Sequence, residues 1–185
     1  MKKIILSVLL CSTMITIPVQ AGLLDGKLSL QYEQYQNALN EFNALAEQGN
    51  AAALYYLGYM HQKGLGVPKN VATAYNYYKQ ADALFYLPAA APLGHMLLHG
   101  EGGIAKSPDQ AIALLKKAAL SGDDVAAYDL GLVYQKGLGS GVNAIEVNYN
   151  YAYGYFLLSA LRGNKQAQYQ LSKMFLVGRG VPQDY

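Results

Sequence analysis

One short pattern recurs along this chain and leaves few folds open to it. Leu57-Gly58 returns as Leu93-Gly94 and Leu130-Gly131, then as Leu171-Ser172, at steps of 36, 37 and 41 residues. Ala53, Ala89, Ala126 and Ala167 precede the pair, and Gly64, Gly100, Gly137 and Gly178 follow it. Self-similarity at a period in the thirties marks a helical solenoid, in which each copy buries its apolar face only by stacking on its neighbours. The spacing therefore predicts an all-α architecture before any residue is assigned a task.

Within the first copy, residues 50–85, Ala53, Leu57, Met60 and Gly64 fall at i, i+4, i+7 and i+11, one face of a front helix. Glycine costs about 1 kcal/mol against alanine inside a helix. The return of Gly58 as Gly94 and Gly131 therefore implies close approach of another helix. Gly64-Leu65-Gly66 ends the front helix, and Asn70 is placed to cap a back helix carrying Ala74, Tyr77, Tyr78 and Ala81. A second copy spans 86–122, a third 123–163 and a partial one 164–185. In the second, Pro88 and Pro92 predict an irregular start to the front helix. Its Ser107-Pro108-Asp109-Gln110 predicts a hydroxyl cap, a first-turn proline and a capping-box glutamine. The third carries five extra residues within 140–147, in the loop between its helices. Residues 22–49 read as an incomplete N-terminal repeat: a short or frayed helix, then Tyr35, Ala38, Leu39, Phe42, Leu45 and Ala46 at helical spacing. At the other end Leu171, Met174, Phe175, Leu176 and Val177 are expected to pack on Tyr155, Phe156 and Ser159. That arrangement leaves an apolar edge for a partner or for weak self-association.

Residues 1–21 have the form of a cleaved secretory signal: Lys2 and Lys3, an apolar stretch to Val19, and Val19-Gln20-Ala21 as the small-x-small site before Gly22. The apolar stretch is short and polar-spotted for a membrane span, so no stable anchor is expected after cleavage. The chain holds 14 Lys+Arg and 12 Asp+Glu, and loss of Lys2 and Lys3 leaves the mature part formally neutral. That balance lacks the basic footprint of a nucleic-acid binder. The single cysteine, Cys11, departs with the signal, which removes disulfide and thiol chemistry. A periplasmic or secreted location follows as an expectation.

The order alanine, three residues, Leu-Gly, x, Met or Leu, then Gly-x-Gly-Val, an Asn or Asp cap and a closing Ala-Ala-x-x-Gly resembles the Sel-one-like repeat, a branch of the tetratricopeptide-like helical repeats. Gly178-Arg179-Gly180-Val181-Pro182-Gln183-Asp184 is similar to its consensus almost throughout. Departures are Ser172 for glycine, Phe85 at a closing glycine and the extended loop after Gly139. The resemblance implies a right-handed α/α solenoid whose front helices line a concave surface. It implies a non-enzymatic adaptor or scaffold that binds protein partners in the bacterial envelope. An alternative it implies is an immunity protein neutralising a secreted toxin, such as a lipase effector, in the periplasm. A third, β-lactam binding or hydrolysis, belongs to a cysteine-rich branch and fits poorly with a mature chain free of cysteine.

Few residues carry chemistry of their own. His95 and His99 lie at i and i+4 with Glu101 just beyond, a spacing that can share a metal, yet the stretch lacks the internal glutamate of HExxH and a third ligand. The Gly-x-Gly turns lack a following Gly-Lys-Ser/Thr and read as turns. The acidic residues are scattered, and no nucleophile motif occurs. No catalytic residue, metal or cofactor is expected. The stronger signal is the non-core stripe of the front helices. Opposite Ala53, Leu57 and Met60, it carries Tyr56 and Tyr59 and, one period on each time, His95, His99, Asp129, Leu132 and Lys173. Aromatic, histidine and isolated charged groups together predict a protein-binding face.

Overall fold

The computed structural model describes residues 16–139 and 144–180, with side chains from Gly22 onward. Most of the expected signal, the tip of the extended loop and the last five residues lie outside the described residues. Among those described, the chain forms nine α-helices and no strand: α1 Thr16–Gln31, α2 Tyr35–Glu47, α3 Ala51–Lys63, α4 Val71–Ala83, α5 Ala90–His99, α6 Pro108–Leu120, α7 Asp124–Lys136, α8 Tyr149–Ala160 and α9 Lys165–Val177. None of these helices is long and apolar enough to cross a membrane. The chain divides into two compact units, Met1–Tyr86 and Leu87–Tyr185.

In the first unit α1 packs on α2, α2 on α3, and α3 on α4. Ala38, Leu39, Phe42 and Leu45 of α2 meet Ala53, Leu57 and Met60 of α3 in one buried cluster. Each side contributes the residues its 3.6-residue period places on one face. The segment read as an incomplete repeat is a helical hairpin in its own right. A Cβ on Gly26 of α1 would stand 2.6 Å from the ring of Phe42, as one on Gly58 would stand 2.9 Å from that of Tyr78. Glycine at these points lets a helix settle directly onto an aromatic ring of the next helix.

In the second unit α5 packs on α6, α6 on α7, α7 on α8 and α8 on α9, and α5 also touches α7. The same device recurs: a Cβ on Gly94 would lie 3.0 Å from Leu115, and one on Gly131 only 2.5 Å from Phe156. Asn side chains accept the backbone N–H three residues on at the starts of α3, α4, α8 and α9, and Asp123 does so for α7. Ser159 is fully buried, and its hydroxyl donates to the Asp124 carbonyl at 2.6 Å. Asn164 Nδ2 donates to the Asp124 carboxylate at 2.9 Å, so one residue fastens the start of α7 to α8 and α9.

Three local expectations need correction. Ser107 does not cap α6 with its hydroxyl. Its own N–H is held by the Leu97 carbonyl at 3.0 Å, and Pro108 at the first position leaves one fewer free N–H to satisfy. Gly137 leaves α7 at φ 74° and ψ 168° rather than in the left-handed turn of Gly64 and Gly100, and the chain runs into an antiparallel bridge between Leu138 and Ile145. At the C-terminal side α9 rests on Ala152 and Phe156 through Met174, and Phe175 meets the edge of Tyr153 at 6.0 Å. Tyr155 stacks on Tyr134 instead, while Ser159 holds Asp124 through its hydroxyl and accepts the N–H of Asn164, the cap of α9, on its carbonyl at 3.3 Å. The proline-broken start of α5 is as expected, a 3-10 turn at Leu87–Ala89 running into the helix.

Candidate binding faces and family membership

In the first unit, Tyr56 and Tyr59 lie on α3 and are half-buried. Tyr56 stacks on Phe42 of α2 at 4.9 Å with the rings 11° from parallel, and the Lys27 ammonium sits 5.9 Å from its ring centre. That ring is committed to joining α1, α2 and α3. Tyr56 and Tyr59 both line a cleft of about 470 Å³ with Leu30, Tyr35 and Leu65. Sequence reasoning passed over Tyr55, which lies within 5.3 to 5.6 Å of Tyr56, Tyr78 and Tyr86 and is the hub of the aromatic cluster. It also passed over His61, stacked on Tyr77 at 5.5 Å, whose pKa burial lowers.

In the second unit, the structure brings His95, His99 and Asp129 together. His95 on α5 reaches α7, placing Nε2 2.8 Å from Asp129 Oδ2, while Nδ1 faces Glu101 Oε1 at 3.8 Å. The rings of His95 and His99 are 4.6 Å apart. The 2.8 Å approach meets the distance but not the alignment of a hydrogen bond, since the buried Asp129 Oδ2 has no well-directed donor. It is an ion pair when the imidazole is protonated. The Asp129 carboxylate is the largest influence on His95 and raises its pKa, with Glu101 adding to it and burial opposing both. Among the described residues no three His, Cys, Asp or Glu side chains converge to hold a metal ion.

The remaining stripe residues separate. Leu132 is partly buried against Ala152, Phe156, Ala167 and Met174 and belongs to the packing of α7 on α8 and α9. Lys173 is exposed, with its ammonium 5.6 Å from the Tyr169 ring. It also lines a cleft shared with Lys136, Tyr149 and Arg179. Tyr134 was likewise not singled out, yet it stacks on Tyr155 at 5.6 Å, lies 5.2 Å from Tyr151 and takes Lys116 against its face. Its one sequence signal was the unusual count of 17 tyrosines.

The model of the Sel1 repeat family matches residues 51–81, 88–123, 124–164 and 165–185. Among curated proteins, the human protein sel-1 homolog 2 is 33% identical over 157 residues, 80% of this chain and 22% of that protein. Chitin synthase regulatory factor 2 of Schizosaccharomyces pombe is 24% identical over 147 residues, 78% of this chain and 29% of its own length. The chain thus spans less than a third of either relative. Among solved structures, a Sel1 repeat protein from Oxalobacter formigenes superposes with a TM-score of 0.77 at 26% identity, covering 88% of this chain and 62% of the other. A protective antigen of uropathogenic Escherichia coli with an SLR fold gives 0.70 at 33% identity, covering 81% of this chain and 31% of that one. The fold class is therefore the all-α solenoid of helix-turn-helix repeats, and repeats of the Sel1 kind imply a protein-binding scaffold. By a family match that runs from residue 51 to residue 185 with few gaps, this chain belongs to the Sel1 repeat family.

Proposed function

We propose that the chain is an exported, non-enzymatic adaptor that binds a protein partner in the bacterial envelope through the outward faces of its front helices. The observation that carries this reading is the cluster of His95, His99 and Asp129. It sets polar and aromatic groups on α5 and α7 while Leu93, Met96 and Leu130 fill the core beneath. Interface anchors are typically such aromatic and charged groups held rigidly at a surface. Export rests on Lys2, Lys3, the apolar stretch behind them and the Val19-Gln20-Ala21 site. The exposed Phe175, Leu176 and Val177 of α9 offer a second, apolar contact for a partner or for weak self-association.

Two measurements test it. The intact mass of the chain recovered from a periplasmic extract should correspond to a start at Gly22. A chain that keeps Met1 and stays with the cytosolic fraction overturns the export part. Affinity purification of the wild-type chain against a His95→Ala and His99→Ala double variant should recover a partner that the variant loses. Equal recovery by both overturns the assigned face.

A further inference from the structure

A cleft of about 380 Å³ opens in the second unit between the ends of α7 and α9 and the start of α8. Lys136, Lys173 and Arg179 line it, and among the described residues no Asp or Glu does. None of the three forms an ion pair among the described residues. The chain is otherwise nearly balanced, at a formal net charge of +2, so among the described residues this is a local concentration of positive charge without an acidic neighbour in the lining. In a concave site such charge focuses the field on an incoming anion.

Arg179 is held in place. Its guanidinium lies 5.4 Å over the Tyr149 ring, with Nη1 3.4 Å from the Tyr149 hydroxyl. Gly180 beside it turns at φ 75° so close to α8 that a Cβ there would stand 2.5 Å from the Tyr149 carbonyl. The backbone is thus pinned while most of the five N–H donors of the arginine stay available. The lining also includes Val177, which is 57% exposed, so an anion held by the three cations would have apolar surface next to it.

We infer that this cleft is a recognition site for an acidic segment of a protein partner: carboxylates on Lys136, Lys173 and Arg179, with a neighbouring apolar side chain on Val177. A nucleic acid fits less well, because a polyphosphate needs a basic stripe and here the positive charge is one spot on a near-neutral chain. The assignment rests on the reading that the chain binds proteins, and names the chemistry of what is bound.

The probe is a fluorescein-labelled peptide alternating glutamate and leucine, followed by anisotropy. Its twin with glutamine for glutamate and a labelled oligothymidylate are the comparisons. The wild-type chain should bind the acidic peptide more tightly than either, and binding should weaken as sodium chloride is raised. Lys136→Gln, Lys173→Gln and Arg179→Gln should each weaken it about two- to five-fold, the range for exposed charge pairs, with the triple variant weaker than any single one. Lys165→Gln, an exposed lysine outside the cleft, should leave it unchanged. Equal binding by the triple variant, equal binding of the glutamine peptide, or preference for the oligothymidylate overturns the inference. If the peptide fails while a partner is still lost on His95→Ala and His99→Ala, the cleft assignment falls and the adaptor reading stands. If the peptide binds through the three cations but no partner depends on the histidines, the assigned histidine face falls and the cleft stands.

Discussion

His95 Nε2 lies 2.8 Å from Asp129 Oδ2, so a side chain of α5 is tied to α7 one repeat further along. The carboxylate raises the histidine's pKa above its usual 6.5. A pKa raised in the folded state means a stabilising contribution that is complete below 6.5 and lost as pH rises through the folded value. His61 has the opposite sign: burial lowers its pKa, so its contribution is present above 6.5 and lost as pH falls through the lower folded value. The two effects overlap in the wild type, and a difference separates them. Thermal melts of wild type and His95→Gln across mildly acid to mildly alkaline pH should differ most at the acid end and converge at the alkaline end. A constant difference contradicts the ion pair.

Glycines inside helices test the packing. Gly131 and Gly154 both lie in helices of the second unit, yet a Cβ at Gly131 would stand 2.5 Å from Phe156, whereas one at Gly154 would meet nothing within 4 Å. Gly154→Ala should therefore stabilise by about 0.5–1 kcal/mol through helix propensity alone. Gly131→Ala should destabilise by about 1–3 kcal/mol, because the ring must shift out of a packed core. Urea unfolding of the two variants reads the opposite signs directly.

Phe85 occupies a position where the other repeats close with glycine. It takes the same left-handed conformation, φ 60°, beside 78°, 109° and 93° for Gly49, Gly122 and Gly163, and its side chain is 85% exposed. A left-handed turn strains any residue with a Cβ by about 1–2 kcal/mol, and little packing is lost on removing this one. Phe85→Gly should raise stability by about 0.5–1 kcal/mol after the entropy cost of glycine, measurable by urea unfolding.

The periodic part of the fold was open to sequence reasoning because each repeat meets the next through the same few positions. Leu57-Gly58 and its copies, the glycine ends of α3 and α5 and the Asn70 cap all follow from local spacing. Contacts that depend on how two helices are phased did not. His95 and Asp129 were each singled out, but their meeting depends on the angle at which α5 and α7 lie side by side. Tyr56 was read as facing outward, and it does line an open cleft, but that the register of α2 puts Phe42 under its ring was not foreseen. Arg179 lay hidden in a repeat consensus, and its role emerges only once Gly180 pins it to Tyr149. Gly26 went unnoticed because no leucine-glycine pair frames it in the same way.

Core and surface tyrosine and leucine positions should separate cleanly in the first unit. Leu57 is 1% exposed within the α2–α3 cluster, so Leu57→Ala should cost about 2–5 kcal/mol of stability through the cavity it leaves. Tyr59, on the wall of an open cleft, should when changed to alanine leave stability nearly intact. If Tyr59 anchors a partner, the change weakens that complex by about 1–3 kcal/mol. Unfolding and binding curves on the same two variants check both halves.

The central claim is that a partner protein sits on the outward face of the front helices, and site-specific photocrosslinking in the living host tests it most directly. A photoreactive phenylalanine analogue placed at His99 or Lys173, both exposed on front helices, should yield a discrete adduct with one protein. The same analogue at Leu120, 82% exposed at the end of α6, should yield none. An adduct at Leu120 with none at His99 or Lys173 would contradict the account.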